Sequence, residues 1–274
     1  MLGKLSVVSD ISVSLENVST LAILGDNGVG KTAFIEKIAL VNEKNLDTIV
    51  NARGYVEYKN FSVAIDGDRV ECEEVRRENF RVSQFAPFES YTYICSGHTK
   101  YNVMIVYPYT FITTVHDYYY NVLIKPSDED VKFSNSINDF IDGIIIRSAN
   151  DFLYEKGDFI TYLDNLGKGI SRAVKLMWMV YYHKPDILLI DDIETLNLHP
   201  IRFKALLKWL ISRDLKAILF TTHSDSYFTL AEVDKSSKFL LLRKDGYTLM
   251  DRDEALDRIN YEDLRFTSLK GHTE

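Results

Sequence analysis

Apolar positions in the first third of the chain cluster in short, β-branched runs. Lys4–Val8, Ile11–Leu15 and Thr20–Leu24 read as strands, as do Gly54–Tyr58 and Phe61–Ile65, where Phe61, Val63 and Ile65 alternate with smaller residues. Asp66-Gly67 marks a hairpin turn into Arg69–Cys72. Together these runs predict an antiparallel sheet beside a separate core. Residues 81–117 carry a mixed pattern with one buried strand at Met104–Tyr107. Polar flanks around Val131, Phe133, Ile137, Phe140 and Ile141 predict a short amphipathic helix within Ser127–Asp142. Ile144–Ile146 and Phe152–Tyr162, turning at Lys156-Gly157, predict a hairpin. The C-terminal half alternates: helix Ile170–Tyr182, strand Ile187–Ile190, helix Pro200–Ser212, strand Ala217–Thr221. That alternation predicts a parallel sheet covered by helices. A hairpin at Asp245-Gly246 and a terminal helix near Glu254–Leu264 complete the order. The fold class expected is therefore α/β: a mostly parallel core sheet flanked by helices, plus an N-terminal antiparallel β subdomain.

Composition narrows the setting. At 46% hydrophobic and 26% charged, 274 residues are ample for a packed core and exclude disorder as the dominant state. Two cysteines, Cys72 and Cys95, exclude a disulfide scaffold and fit a reducing compartment. No apolar run approaches the roughly 20 residues that span a bilayer, and the first residues lack a signal-peptide pattern. A cytoplasmic protein with no membrane partner is expected. The net charge of −8 supplies no overall positive field toward nucleic acid, which leaves DNA or RNA binding undecided.

The chemistry begins at Gly25-Asp26-Asn27-Gly28-Val29-Gly30-Lys31-Thr32, which fits G-x-x-x-x-G-K-[ST]. An apolar strand precedes it, and a helix with Phe34 and Ile38 one turn apart follows. The glycines let the backbone approach phosphate oxygens with its N–H groups pointing inward. Lys31 would reach the β- and γ-phosphates of ATP, and Thr32 would ligate Mg²⁺. The second signal is Ile187-Leu188-Leu189-Ile190-Asp191-Asp192, a buried parallel strand delivering acids to the sheet's C-terminal edge. Asp191 would hold Mg²⁺, directly or through water, and Asp192 would orient or deprotonate the attacking water.

Two further pieces stand in register with these. The strand Ala217–Thr221 runs into Thr222-His223-Ser224, about thirty residues after the acids with one helix between, as a neighbouring parallel strand would. Leu166-Gly167-Lys168-Gly169-Ile170-Ser171-Arg172 opens the helix that leads to the acidic strand. A glycine-rich helix start is an anion site, and Lys168, Arg172 and Lys175 could neutralise phosphate charge.

A phosphate loop, a glycine signature, an aliphatic-acidic strand and a Thr-Thr-His-Ser strand end, in that order, resemble the ABC-type ATPase heads of the P-loop NTPases. Asp191-Asp192-Ile193-Glu194, Leu198-His199-Pro200 and Thr221-Thr222-His223-Ser224 resemble the soluble OLD-like and RecF/SMC-like branch. The resemblance spans residues 1–274 as a single domain, with residues 81–165 matched loosely as the segment leading to the signature helix. It implies a homodimer that closes around two ATP molecules, the phosphate loop of one subunit facing Gly167, Lys168, Gly169 and Arg172 of the other. It makes His223 the switch histidine at the γ-phosphate. It makes Gln84, the sole glutamine, a nucleotide and Mg²⁺ sensor, the alternative being a polar residue in a surface loop. A nuclease, toxin, DNA-maintenance factor or other effector protein is the partner class implied.

The sequence departs from that pattern in places. Asp192 stands where the family usually has Glu, one methylene longer, so Glu194 could compensate or hydrolysis would be slow. The signature reads Leu-Gly-Lys-Gly-Ile rather than Leu-Ser-Gly-Gly-Gln, and Lys168 could act in trans as an arginine finger does. The catalytic set expected is Lys31, Asp192, Glu194 and His223. Two alternatives are a nucleotide-binding switch with negligible turnover and a RecF-like DNA-repair ATPase. A transporter motor subunit is disfavoured by the signature and the Leu-His-Pro element. Cys72, Cys95 and His98 lack the spacing of a zinc site, and Tyr118–Tyr120 read as core or strand surface rather than a stacking platform.

Overall fold

The computed structural model describes residues 13–14, 20–39, 63–64, 72–79, 89–95, 100–107, 125–147, 152–222, 226–244 and 246–260. In chain order these form β1 (Val13–Ser14), β2 (Thr20–Leu24), α1 (Lys31–Ala39), β3 (Val63–Ala64), β4 (Cys72–Asn79), β5 (Glu89–Cys95) and β6 (Lys100–Val106). Then come α2 (Asp128–Ser136), β7 (Ile144–Arg147), β8 (Phe152–Lys156), β9 (Phe159–Tyr162), α3 (Lys168–His183) and β10 (Ile187–Ile190). The last are α4 (Pro200–Ile211), β11 (Ala217–Thr222), α5 (Ser226–Val233), β12 (Lys238–Arg243), β13 (Gly246–Met250) and α6 (Arg252–Asn260).

The main sheet has eight strands in the order β13-β12-β2-β11-β10-β6-β5-β4. Its middle five, β12 to β6, are all parallel. The three strands that matter most for the site are buried along their whole length: β2, β10 and β11. Aliphatic runs buried on both faces are what a helix-covered parallel sheet requires. β11 lies between β2 and β10, pairing Ile218–Thr222 with Thr20–Leu24 on one side and Ala217–Phe220 with Ile187–Ile190 on the other. The ends of the glycine-loop strand, the acidic strand and the Thr-Thr strand thus reach one edge of the sheet together.

Antiparallel strands flank this core. β13 closes a hairpin on β12 with Arg243 opposite Gly246, as the sequence predicts. At the other end β5 and β4 continue the sheet antiparallel from β6. A separate three-stranded antiparallel sheet, β7-β8-β9, follows α2. Ser127 starts α2 with a reciprocal capping box: its hydroxyl accepts from the Asp130 N–H, and the Asp130 carboxylate accepts from the Ser127 N–H. The Ser134 hydroxyl accepts from the Ile145 N–H at 2.8 Å, tying α2 to β7. Among the N-terminal strands the sequence predicts, Thr20–Leu24 is β2 of the parallel core, and parts of Ile11–Leu15 and Phe61–Ile65 form β1 and β3. These two pair parallel to each other, not antiparallel. Lys4–Val8, Gly54–Tyr58 and the Asp66-Gly67 turn lie outside the described residues.

One apolar cluster runs from the main sheet through α3 to the smaller sheet, holding Leu24, Ile190 and Phe220 together with Phe133, Phe152 and Met177. α3 therefore links the two sheets. No helix among the described residues is long and apolar enough to cross a membrane.

Candidate functional site

The glycine loop leaves β2 at Gly25 and enters α1 at Lys31, in the strand-loop-helix setting its motif needs. Gly25 is fixed by space. A Cβ there would lie 2.6 Å from the Leu242 carbonyl oxygen and 2.8 Å from Val29 Cγ2, so β12 passes too close for any side chain. Asp26, Asn27 and Gly28 face solvent, Val29 turns inward at 7% exposure, and Gly28 and Gly30 hold positive φ. The Lys31 ammonium bends back across the loop and donates to the carbonyls of Gly25 at 2.7 Å and Asp26 at 3.0 Å. Burial pushes its pKa below the ordinary lysine value, against the opposing pull of Glu194 first, then Asp191, Asp192 and Asp26.

The second residue of α1 meets the acidic strand. The Thr32 hydroxyl lies 3.1 Å and 3.0 Å from the two carboxylate oxygens of Asp191, which is 6% exposed at the end of β10. Thr221 completes the constellation. Its hydroxyl donates to Asp191 Oδ1 at 2.8 Å and accepts from the Asp192 N–H at 2.7 Å. Asp192 takes a left-handed conformation, φ 54°, which Asp tolerates better than most residues. From there a 3-10 turn, Ile193–Leu196, carries Glu194 back toward the strand ends, where its carboxylate accepts from the Thr222 hydroxyl. Sequence reasoning placed Thr221 and Thr222 in a motif but gave them no role. Their hydroxyls position the acids, and only the strand register reveals it.

The hydroxyl of Thr32 and the carboxylate of Asp191 are hard oxygen donors converging beside the loop, a set that fits Mg²⁺ rather than a softer metal. Among the described residues no cluster of three or more His, Cys, Asp or Glu side chains forms another metal site. Cys72 and Cys95 stand opposite each other in the β4–β5 register, whereas His98 lies outside the described residues. Gln84 and His223 also lie outside them, so β11 is described only up to Thr222.

The signature forms a second locus. Gly167 caps α3 with φ 106°, and it and Lys168 are exposed. Gly169 is fixed by a close approach: a Cβ there would stand 2.3 Å from the Asn197 carbonyl oxygen. Arg172, one turn further on, points inward and donates to the Thr195 carbonyl of the same chain. Asp164, just before the helix, accepts from the Ser171 hydroxyl and from Lys175 at 2.7 Å. Leu198-His199-Pro200 lead into α4, where His199 caps the helix and accepts from the Ile201 N–H. Signature and Leu-His-Pro segment meet at a pocket of about 400 Å³ lined by Gly167, Gly169, Ile170, Asn197, Leu198 and His199, among others.

No protein-family profile matches the chain. No curated protein matches it either. Solved structures do. The SMC head domain from Thermotoga maritima is similar at 14% identity, covering 85% of this chain and 90% of its own, with a TM-score of 0.44. An SMC head bound to the C-terminal winged-helix domain of ScpA is similar at 13% identity, with coverage of 88% and 93% and a TM-score of 0.47. CbiO1 from Clostridium perfringens, part of the ABC transporter complex CbiONQ, is similar at 17% identity, with coverage of 92% and 85% and a TM-score of 0.44.

Proposed function

We propose that the chain is an ATP-hydrolysing head of the ABC type, in which two copies close around ATP and couple its turnover to an effector protein. One observation carries the reading: the Thr32 hydroxyl of the glycine loop sits on the Asp191 carboxylate at the end of the neighbouring acidic strand. A glycine-rich turn matching by chance would have no reason to dock there.

The steps follow from the residues. The loop N–H groups and Lys31 bind the triphosphate, and the ammonium exchanges its two carbonyl partners for phosphate oxygens. Thr32 and Asp191 would hold Mg²⁺, which when bound neutralises charge between the β- and γ-phosphates. Water attacks the γ-phosphorus, the bond to the bridging oxygen breaks, and ADP departs with the electron pair. The water's proton passes to a carboxylate, Asp192 or Glu194. Both are tied to the end of β11 through Thr221 and Thr222, which keeps them at the loop. Gly167, Lys168 and Gly169, exposed or half-exposed at the start of α3, face the γ-phosphate bound by a second copy. Gln84 and His223 complete the site by the resemblance stated above.

Binding is the first test. Titration with a fluorescent ATP analogue should give Mg²⁺-dependent binding that Lys31→Ala and Thr32→Val each weaken at least tenfold. Binding that is indifferent to Mg²⁺ and to both substitutions would refute the site. Binding with no turnover at any protein concentration would select the nucleotide-switch reading instead.

A further inference from the structure

The signature helix and the catalytic acids belong, in the reading above, to different halves of the dimer's two sites, yet within one chain they are in contact. The 3-10 turn Ile193–Leu196 carries Glu194 and begins at Asp192. Its far end is gripped by the first turns of α3. Arg172 donates to the Thr195 carbonyl, and the Asn197 carbonyl fills the space where Gly169 has no side chain. Thr195 in turn holds Asp192, its N–H and hydroxyl both donating to the Asp192 carbonyl at 3.0 Å and 2.8 Å. The Asn197 N–H donates to the Glu194 carbonyl at 2.8 Å. A polar path thus runs from Arg172 through Thr195 to the backbone of Asp192, and the packing of Gly169 against Asn197 extends the contact to the backbone of Glu194. Arg172 lies along that path with its Nε buried, whereas Lys168 four residues earlier is exposed.

We infer that Arg172 is a positioning residue acting in cis: it ties the signature helix to the turn that aims Asp192 and Glu194 of its own chain. The inference rests on the composite-dimer reading and deepens it. Arg172 itself does not touch nucleotide, in contrast to the trans role its position in the motif implies.

Mixed dimers separate cis from trans. In a mixture of Lys31→Ala and Arg172→Ala chains, the one intact phosphate loop belongs to the chain lacking Arg172 and faces a partner that has it. A trans role restores turnover in that mixture; the cis role leaves it as low as in Arg172→Ala alone. Mixing Lys31→Ala with Lys168→Glu is the companion experiment, because an exposed trans residue is supplied by the partner. That mixture should regain roughly a quarter of wild-type turnover per chain, since half of randomly formed dimers are mixed and each holds one competent site. Recovery in both mixtures overturns the cis assignment. Recovery in neither overturns the composite-dimer reading. The contact is then judged alone, by amide hydrogen exchange across residues 191–197 in the ATP-free chain. Exchange there should rise at least tenfold in Arg172→Ala and less in Arg172→Lys, which keeps one donor; unchanged exchange overturns the inference. Kinetically, Arg172→Lys should lower kcat and leave the KM for ATP within about twofold, as expected for a group that acts on the transition state through others. A raised KM with unchanged kcat would show a direct nucleotide contact instead.

Discussion

Replacing Thr221 by valine removes one oxygen atom from the centre of the site while keeping the shape of a buried, β-branched strand residue. Thr221 is 1% exposed, and its hydroxyl serves two groups at once, donating to Asp191 Oδ1 at 2.8 Å and accepting from the Asp192 N–H at 2.7 Å. A hydrogen bond to a charged carboxylate contributes about 1.5–3 kcal/mol, and a neutral one about 0.5–1.5 kcal/mol. Asp191 keeps the Thr32 hydroxyl, which limits the loss at that oxygen pair. The expected destabilisation is therefore about 2–4 kcal/mol. With a urea slope near 3 kcal/mol/M, that lowers the unfolding midpoint by about 1 M. Thr221→Ser retains the hydroxyl and should recover most of the difference. The measurement is urea unfolding of wild type, Thr221→Val and Thr221→Ser, followed by far-ultraviolet circular dichroism. A valine variant within about 0.2 M of wild type, or a serine variant as damaged as the valine one, would refute the role given to this hydroxyl.

Two further outcomes follow from the signature helix and its C-terminus. Lys175 and Asp164 pair at 2.7 Å with each side chain only 11% exposed, so Lys175→Met leaves a buried carboxylate uncompensated and should cost about 3–5 kcal/mol. Lys204→Met, which breaks the Glu232 pair at 43% and 61% exposure, should stay within about 0.5 kcal/mol. Equal losses in the two variants, by the same unfolding assay, would contradict the burial argument. His183 ends α3 edge-on to Trp178 and Tyr182, and burial pushes its imidazole below the ordinary value of 6.5. The unfolded chain therefore takes up this proton first as pH falls, so His183 lowers stability below about pH 6.5 until the folded imidazole is protonated too. His183→Gln should flatten the stability profile between about pH 7 and 5; a profile parallel to wild type would remove His183 as the source.

The parts of the fold legible in the sequence are those where burial writes itself into composition. β2, β10 and β11 are aliphatic because both faces of a parallel strand are covered, and the glycine loop is legible because no other residue fits at Gly25. β4 was not legible: Cys72–Asn79 holds Val75 among five charged residues and shows no apolar alternation, as befits the last strand in the sheet order. The roles of Thr221 and Thr222 depend on which strand lies beside which, a tertiary fact that no local pattern encodes. The contact that Arg172 makes with the Thr195 carbonyl is hidden for the same reason. The motif names the residue, but the approach of the Ile193–Leu196 turn decides which way it points.

The dimeric head rests on a site completed by a second copy of the chain. ATP turnover per chain, measured over a wide range of protein concentration with Lys31→Ala as the control, tests it most directly. A composite site gives turnover per chain that climbs with concentration, saturates, and vanishes in the control. Turnover per chain that is flat across the range while Lys31→Ala still abolishes it would show a site complete within one chain, and would contradict the dimeric head.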